Sequence, residues 1–319
     1  MLGIPLIPIS HLTLSSLFPV GTDVYLRPKG TKDAILFLAA DQIATEEALE
    51  LLAASKDIKL FISQKESQKF QKHLRDNFDL WFENAAVPAK NKAAMLSEVI
   101  RNVLSDEFTR NDTHSIVDAT KQLGVHVARL ATEKSLTGAE LCQILHHDYG
   151  TFTHSGNVAF YCSLLAAELG YVNEELAEIA TGGLLHDIGK LDIDERVLNK
   201  PGMLDEFEFR IIKEHPLGGF RRLTKVNEAT QVQLLMTYEH HERIDGKGYP
   251  VGIGGNEIHI ASRICSVVDV FEAMTSNRPY RGALSLKQTL AIMTESVTQA
   301  FDKEVFECWE TIVSSRLGS

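Results

Sequence analysis

Two hydrophobic rhythms share this chain of 319 residues. Across residues 22–64, short apolar runs alternate with polar, turn-forming stretches, which marks strands broken by turns. TDVYLRPKG (22–30) reads as a strand entering a Pro-Gly turn, AILFLAA (34–40) as an apolar strand-length run, and IKLFIS (58–63) as another strand. Between them TEEALELLAAS (45–55) has helical spacing, an acidic first turn and Thr45 as N-cap. A helix is expected over KESQKFQKHLRDNFDLWFE (65–83).

From about residue 88 the period becomes helical and stays so. AAMLSEVIRNVLSDEF (93–108) and HSIVDATKQLGVHVARLATE (114–133) are amphipathic. HSGNVAFYCSLLAAELG (154–170) closes on Gly170, a good C′ residue, and NEELAEIATGGLLHD (173–187) follows. LDEFEFRIIKEH (204–215) opens with Asp205 and Glu208 spaced as a capping box and is expected to stop at Pro216. ATQVQLLMTYEHH (229–241) and IASRICSVVDVFEAMTS (260–276) add two more helices. The fold class expected is mainly α: a C-terminal all-α helical bundle with a smaller N-terminal α/β domain. The domains expected are 1–85, a small α/β regulatory or interaction module, 86–140, a helical connector, and 141–319, the chemical domain.

Composition narrows the classes. With 44% hydrophobic and 24% charged residues, the chain is neither disordered nor collagen-like. The net charge of −11, from 32 basic and 43 acidic side chains, argues against a coat for duplex nucleic acid. The four cysteines (Cys142, Cys162, Cys265, Cys308) form no CxxC and read as small buried residues in a reducing compartment. The apolar start, MLGIPLIPISHLTLSSLFPVG, has no basic residue before Arg27 and is broken by Pro5 and Pro8, so a signal peptide is not expected. No later stretch has the length of a membrane span, and a cytoplasmic location is expected.

Histidine placement carries the chemistry. Of twelve histidines, His154, His186, His215, His240 and His241 fall at or near expected helix ends, and two of them begin the pairs His186-Asp187 and His240-His241. His11, His73, His114, His126, His146, His147 and His259 read as surface or core residues. Neighbouring positions on a helix point about 100° apart. A His-Asp pair can therefore offer an imidazole to one ion while its carboxylate reaches a second. Nitrogen and oxygen donors without thiolate suit iron, manganese or catalytic zinc rather than a structural zinc-cysteine site.

The wording around these residues is more specific. The chain runs from His154 to HDIGK (186–190), KPGMLDEFE (200–208), His215-Pro216, HHERIDGKGYP (240–250) and SRICSVVDVFEAMTSNRPYR (262–281). This order resembles the HD-GYP family of bacterial cyclic di-GMP phosphodiesterases over roughly residues 145–315. The resemblance implies two divalent metal ions, iron or alternatively manganese, bridged by Asp187. His154, His186 and Asp269 would complete one site and His215, His240 and His241 the other. It implies cleavage by a metal-bridging hydroxide, with Asp187 and Lys190 catalytic. Cyclic di-GMP would be contacted by Lys190, Tyr249, Glu272, Arg278 and Arg281. The product would be pGpG and possibly GMP.

Two positions depart from the family pattern. Gly150 stands where some relatives place a third-metal glutamate, so two ions are expected. Glu272 stands where the family more often has aspartate. The alternatives are an HD-GYP signalling adaptor that binds ligand or protein partners with little turnover, and another HD-fold chemistry such as a nucleotide phosphohydrolase or di-iron oxygenase. Neither of the latter predicts HHERIDGKGYP. Signalling proteins are candidate partners through the N-terminal module or the GYP loop. Asp23, Asp33 and Asp41 lack the surroundings of a phospho-acceptor site, and the oligomeric state is not legible.

Overall fold

The run IKLFIS organises the first part of the chain. In the computed structural model it is the inner strand β4 (Ile58–Ser63), flanked on both sides by antiparallel partners, β1 (Leu6–Ile9) and β2 (Val24–Pro28). Strand β3 (Ile35–Leu38) pairs with β2 and closes the order β1-β4-β2-β3. The structure describes residues 5–28, 30, 31, 33–55, 58–133, 136, 141, 144, 145, 151–198, 200, 202–277 and 282–314. Strand β1 was not expected: its four residues include Pro8, which survives in an edge strand because it needs no ladder N–H on its outer side.

Helix α1 (Glu46–Ala54) starts where anticipated, with Thr45 Oγ1 accepting from Ala48 N–H. Helix α2 (Ser67–Glu83) buries Phe70, Leu74, Phe78, Trp81 and Phe82 as one stripe at helical spacing, with Trp81 stacked on Phe18. The chain divides into two compact units, residues 1–99 and 100–319, within helix α3 (Ala89–Arg110).

The second unit is helical. Helix α4 (Thr113–Ala131), in the stretch read as a connector, packs along α5 (Thr151–Glu168) and α6 (Asn173–Leu185). Helices α7 (Glu195–Leu198), α8 (Glu206–Ile212), α9 (His215–Leu223), α10 (Gln231–Glu239), α11 (Ile260–Thr275), α12 (Leu286–Glu295) and α13 (Lys303–Ser314) complete it. Tyr161, Phe271 and Trp309 join α5, α11 and α13 with ring centroids 4.9–5.7 Å apart, the favourable spacing for aromatic contacts. Cys162 and Cys265 are buried free thiols, as expected, and Cys142 lies outside the described residues.

The capping box of Asp205 and Glu208 forms as read, and Gly170 ends α5 with φ +95°. Pro216 corrects the expectation made for it. It does not end the preceding helix but sits in the first turn of α9, where its missing N–H is no loss. That places His215 at the start of a helix rather than at the end of one. No described helix is long and apolar enough to cross a membrane.

Candidate metal centre

Helix ends aim the histidines. His186 caps the C-terminus of α6, His215 opens α9 and His240 caps α10. Each lies within reach of a carbonyl one turn back: His186 Nδ1 is 2.8 Å from Gly183 O, His215 Nδ1 2.7 Å from Ile212 O, and His240 Nδ1 3.0 Å from Thr237 O. A carbonyl only accepts, so Nδ1 carries the proton and Nε2 is left with its lone pair. His154, in the first turn of α5, has its Nδ1 2.5 Å from Glu272 Oε2 on α11.

The Nε2 atoms of all four converge on Asp187 from two sides. Its Oδ2 lies 3.5 Å from His154 Nε2 and 3.4 Å from His186 Nε2, while its Oδ1 lies 3.2 Å from His215 Nε2 and 4.0 Å from His240 Nε2. Asp269 Oδ1 stands 3.1 Å from His154 Nε2 on the first side. Three overlapping clusters result, His154-His186-Asp269, His215-His240-His241 and, joining them, His186-Asp187-His240, each with one donor atom per residue and those atoms within 4.8 Å of one another. His186 Nε2 and Asp187 Oδ1 are sealed from solvent and make no hydrogen bond. Lone pairs facing lone pairs in a dry pocket are costly unless a cation lies between them, so this donor set fits divalent metal.

The charges agree. Burial alone would raise the Asp187 carboxyl, but the Lys190 ammonium and His186 outweigh it and hold it well below the usual carboxylate range. Burial likewise opposes ionisation of Asp269, and the hydrogen bond and charge of His154 overcome it. Burial pushes His241 down to about 3 and His240 well below its ordinary value, so both are neutral at physiological pH, the form a metal ligand needs. His154 moves the other way. Burial would lower it, yet the Glu272 and Asp269 carboxylates carry it to about 9.

The expected site residues among the described ones each have a place. Lys190, on the 3-10 turn Ile188–Asp192, puts Nζ 2.5 Å from Asp187 Oδ2. Tyr249 stacks on His241 with centroids 4.7 Å apart. Glu272 corrects the expectation of a substrate contact. It is 2% exposed, with Oε2 on His154 and Oε1 accepting from Asn157 Nδ2 at 3.0 Å and from the Ser276 hydroxyl at 2.6 Å. With both oxygens occupied it stands behind His154 as a positioning residue. Arg278, Arg281, Gly150, His146 and His147 lie outside the described residues.

The HD domain family profile matches residues 119–305. The chain belongs to the HD domain family. Its HHERIDGKGYP run is the stretch on which the resemblance to the HD-GYP family rests. Similar curated proteins include two 3'3'-cGAMP-specific phosphodiesterases of Vibrio cholerae, one 39% identical over 156 residues (49% of this chain and 34% of that protein) and one 42% identical over 158 residues (49% and 36%). The cyclic di-GMP phosphodiesterase response regulator RpfG of Xanthomonas campestris is 39% identical over 160 residues, 50% of this chain and 42% of that protein. The chain thus spans well under half the length of these relatives. Bd1817, an HDG"Y"P protein from Bdellovibrio bacteriovorus, shares the fold, with a TM-score of 0.65 and 16% identity over 97% of this chain and 100% of that one.

Two supports of this HD domain escaped the sequence reading. Asn157, one turn after His154, holds Glu272. Glu242, the third residue of HHERIDGKGYP, is 2% exposed and accepts from the backbone N–H of Val251 at 2.7 Å and of Gly252 at 3.0 Å, pinning the GYP loop from beneath. The motif contained Glu242, but nothing in its wording told a loop anchor from a ligand.

Proposed function

We propose that this chain hydrolyses a phosphodiester bond of a cyclic dinucleotide, cyclic di-GMP, at a centre holding two divalent cations, iron or alternatively manganese. The observation carrying this reading is the split donor arrangement around Asp187, whose two oxygens face separate histidine groups. Two cations held there would supply a lowered water pKa and neutralise charge growing on a phosphate.

The chain's own residues do the rest. Asp187 keeps its charge at neutral pH and would be shared by both ions. His154, His186 and Asp269 would hold one and His215, His240 and His241 the other. Lys190, 19% exposed beside Asp187, is placed to lend positive charge, or a proton, to the phosphate oxygens. Tyr249 walls the pocket over His241. Arg278 and Arg281 are proposed to grip the substrate's phosphates as bidentate partners. The N-terminal unit is proposed as a regulatory or interaction module.

A second substrate, 3'3'-cGAMP, is favoured by the names of the two Vibrio relatives. The test is product analysis on the metal-loaded full chain given each dinucleotide. Conversion of cyclic di-GMP to pGpG supports the reading. Turnover of 3'3'-cGAMP alone reassigns the substrate, and absence of turnover on both by fully loaded, reduced protein moves the assignment to a ligand-binding adaptor.

A further inference from the structure

Lys213 directly follows α8 and lies two residues before His215. Its ammonium is 4.7 Å from the centre of the Phe209 ring and 5.4 Å from the centre of the Tyr249 ring, both within cation–π range. Tyr249 is stacked on His241 with planes 26° apart. Laid end to end, the two separations place the ammonium no more than about 10 Å from the His241 ring. Lys213 forms no ion pair with a described residue, whereas Lys190 is engaged by Asp187. Phe209 keeps 46% of its surface exposed, so the aromatic cage opens to solvent.

We infer that Lys213 is a substrate-binding residue that receives the phosphate of the cyclic dinucleotide not being cut. The inference rests on the phosphodiesterase reading above. A cyclic dinucleotide carries two phosphodiesters, and while one occupies the Asp187 centre the other needs a cation nearby. Lys190, paired with Asp187, serves the phosphate at that centre. Lys213, with no ion pair among the described residues, is positioned by two ring faces instead of a carboxylate, one of them Tyr249 beside His241. An ammonium partly stripped of water in this way gains more from an arriving anion than a fully solvated one.

The experiment is steady-state kinetics on the metal-loaded full chain with Lys213→Met, which keeps an unbranched stem against both rings and removes the charge. Losing one charge-assisted contact predicts a KM for cyclic di-GMP about tenfold higher, with kcat within about threefold. Lys213→Arg should bring KM back to within about threefold of wild type. The KM for bis(p-nitrophenyl) phosphate, which has a single phosphodiester, should move less than about twofold. An unchanged KM for cyclic di-GMP, an equal rise for both substrates, or failure of arginine to restore binding would overturn the assignment. A wild type that cleaves the small diester but no cyclic dinucleotide would remove the substrate reading and this inference together. A wild type active on cyclic di-GMP with an unshifted Lys213→Met removes the role of Lys213 alone.

Discussion

Glu272 Oε2 and His154 Nδ1 lie 2.5 Å apart in a pocket where both side chains are 2–3% exposed. The pairing makes a carboxylate–histidine relay behind a ligand position, the arrangement that fixes the orientation of an imidazole and raises its basicity. It also explains why His154 stays protonated to about pH 9 in the metal-free centre.

Glu272→Gln keeps the size and removes the charge. The imidazolium of His154 in metal-free protein should then titrate below its present value of about 9, read by histidine proton resonances. Metal affinity should fall about 10–100-fold, read by competition with a chelator. An unmoved His154 resonance would place the source of its shift elsewhere.

The metal-free protein should be most stable near neutral pH. An unfolded histidine titrates near 6.5. His241, folded, titrates at about 3, and His240 is also depressed. As pH falls below 6.5, the unfolded chain binds protons that these two refuse, and stability is lost at about 1.4 kcal/mol per pH unit for each. His154 works with the opposite sign. Its contribution is whole below 6.5 and is lost as pH rises through about 9. Denaturant midpoints of chelated protein across this range check the shape, and a flat profile contradicts it.

Gly189→Ala should displace His215. A Cβ on Gly189 would lie 1.9 Å from His215 O and 2.5 Å from Gly219 N, both backbone atoms. The turn and α9 must separate, at a cost of about 1–3 kcal/mol or more, and the His215-His240-His241 cluster should lose metal first. Thermal melting together with metal content reads both effects, and full loading at wild-type stability would show the close approach to be dispensable.

Glu242→Ala leaves the N–H groups of Val251 and Gly252 without their acceptor. A loss of about 1–3 kcal/mol is expected. Release of the loop that carries Tyr249 should raise KM for the dinucleotide more than it lowers metal content. Loss of metal with unchanged KM would make Glu242 a support of the histidines instead.

Much of the centre was legible because its residues are adjacent in sequence and helix geometry turns adjacency into direction. The structure brings His186, Asp187, His240 and His241 together in overlapping clusters of donor atoms. The role of Glu272 was not legible, since it depends on which oxygen meets which nitrogen across α5 and α11. Pro216 was misread because proline both ends one helix and begins the next. Strand β1 was missed because four apolar residues around a proline have no period of their own, and only β4 beside them makes a strand.

The central claim is that Asp187 joins two cations in one working centre. It is tested most directly by metal content of anaerobically reconstituted wild type and Asp187→Asn, with cyclic di-GMP hydrolysis measured on the same samples. About two iron or manganese ions per chain are predicted for wild type, together with loss of paired loading and of hydrolysis in Asp187→Asn. A wild type that binds one ion at most, or an Asp187→Asn protein that keeps both ions and its turnover, would contradict the account.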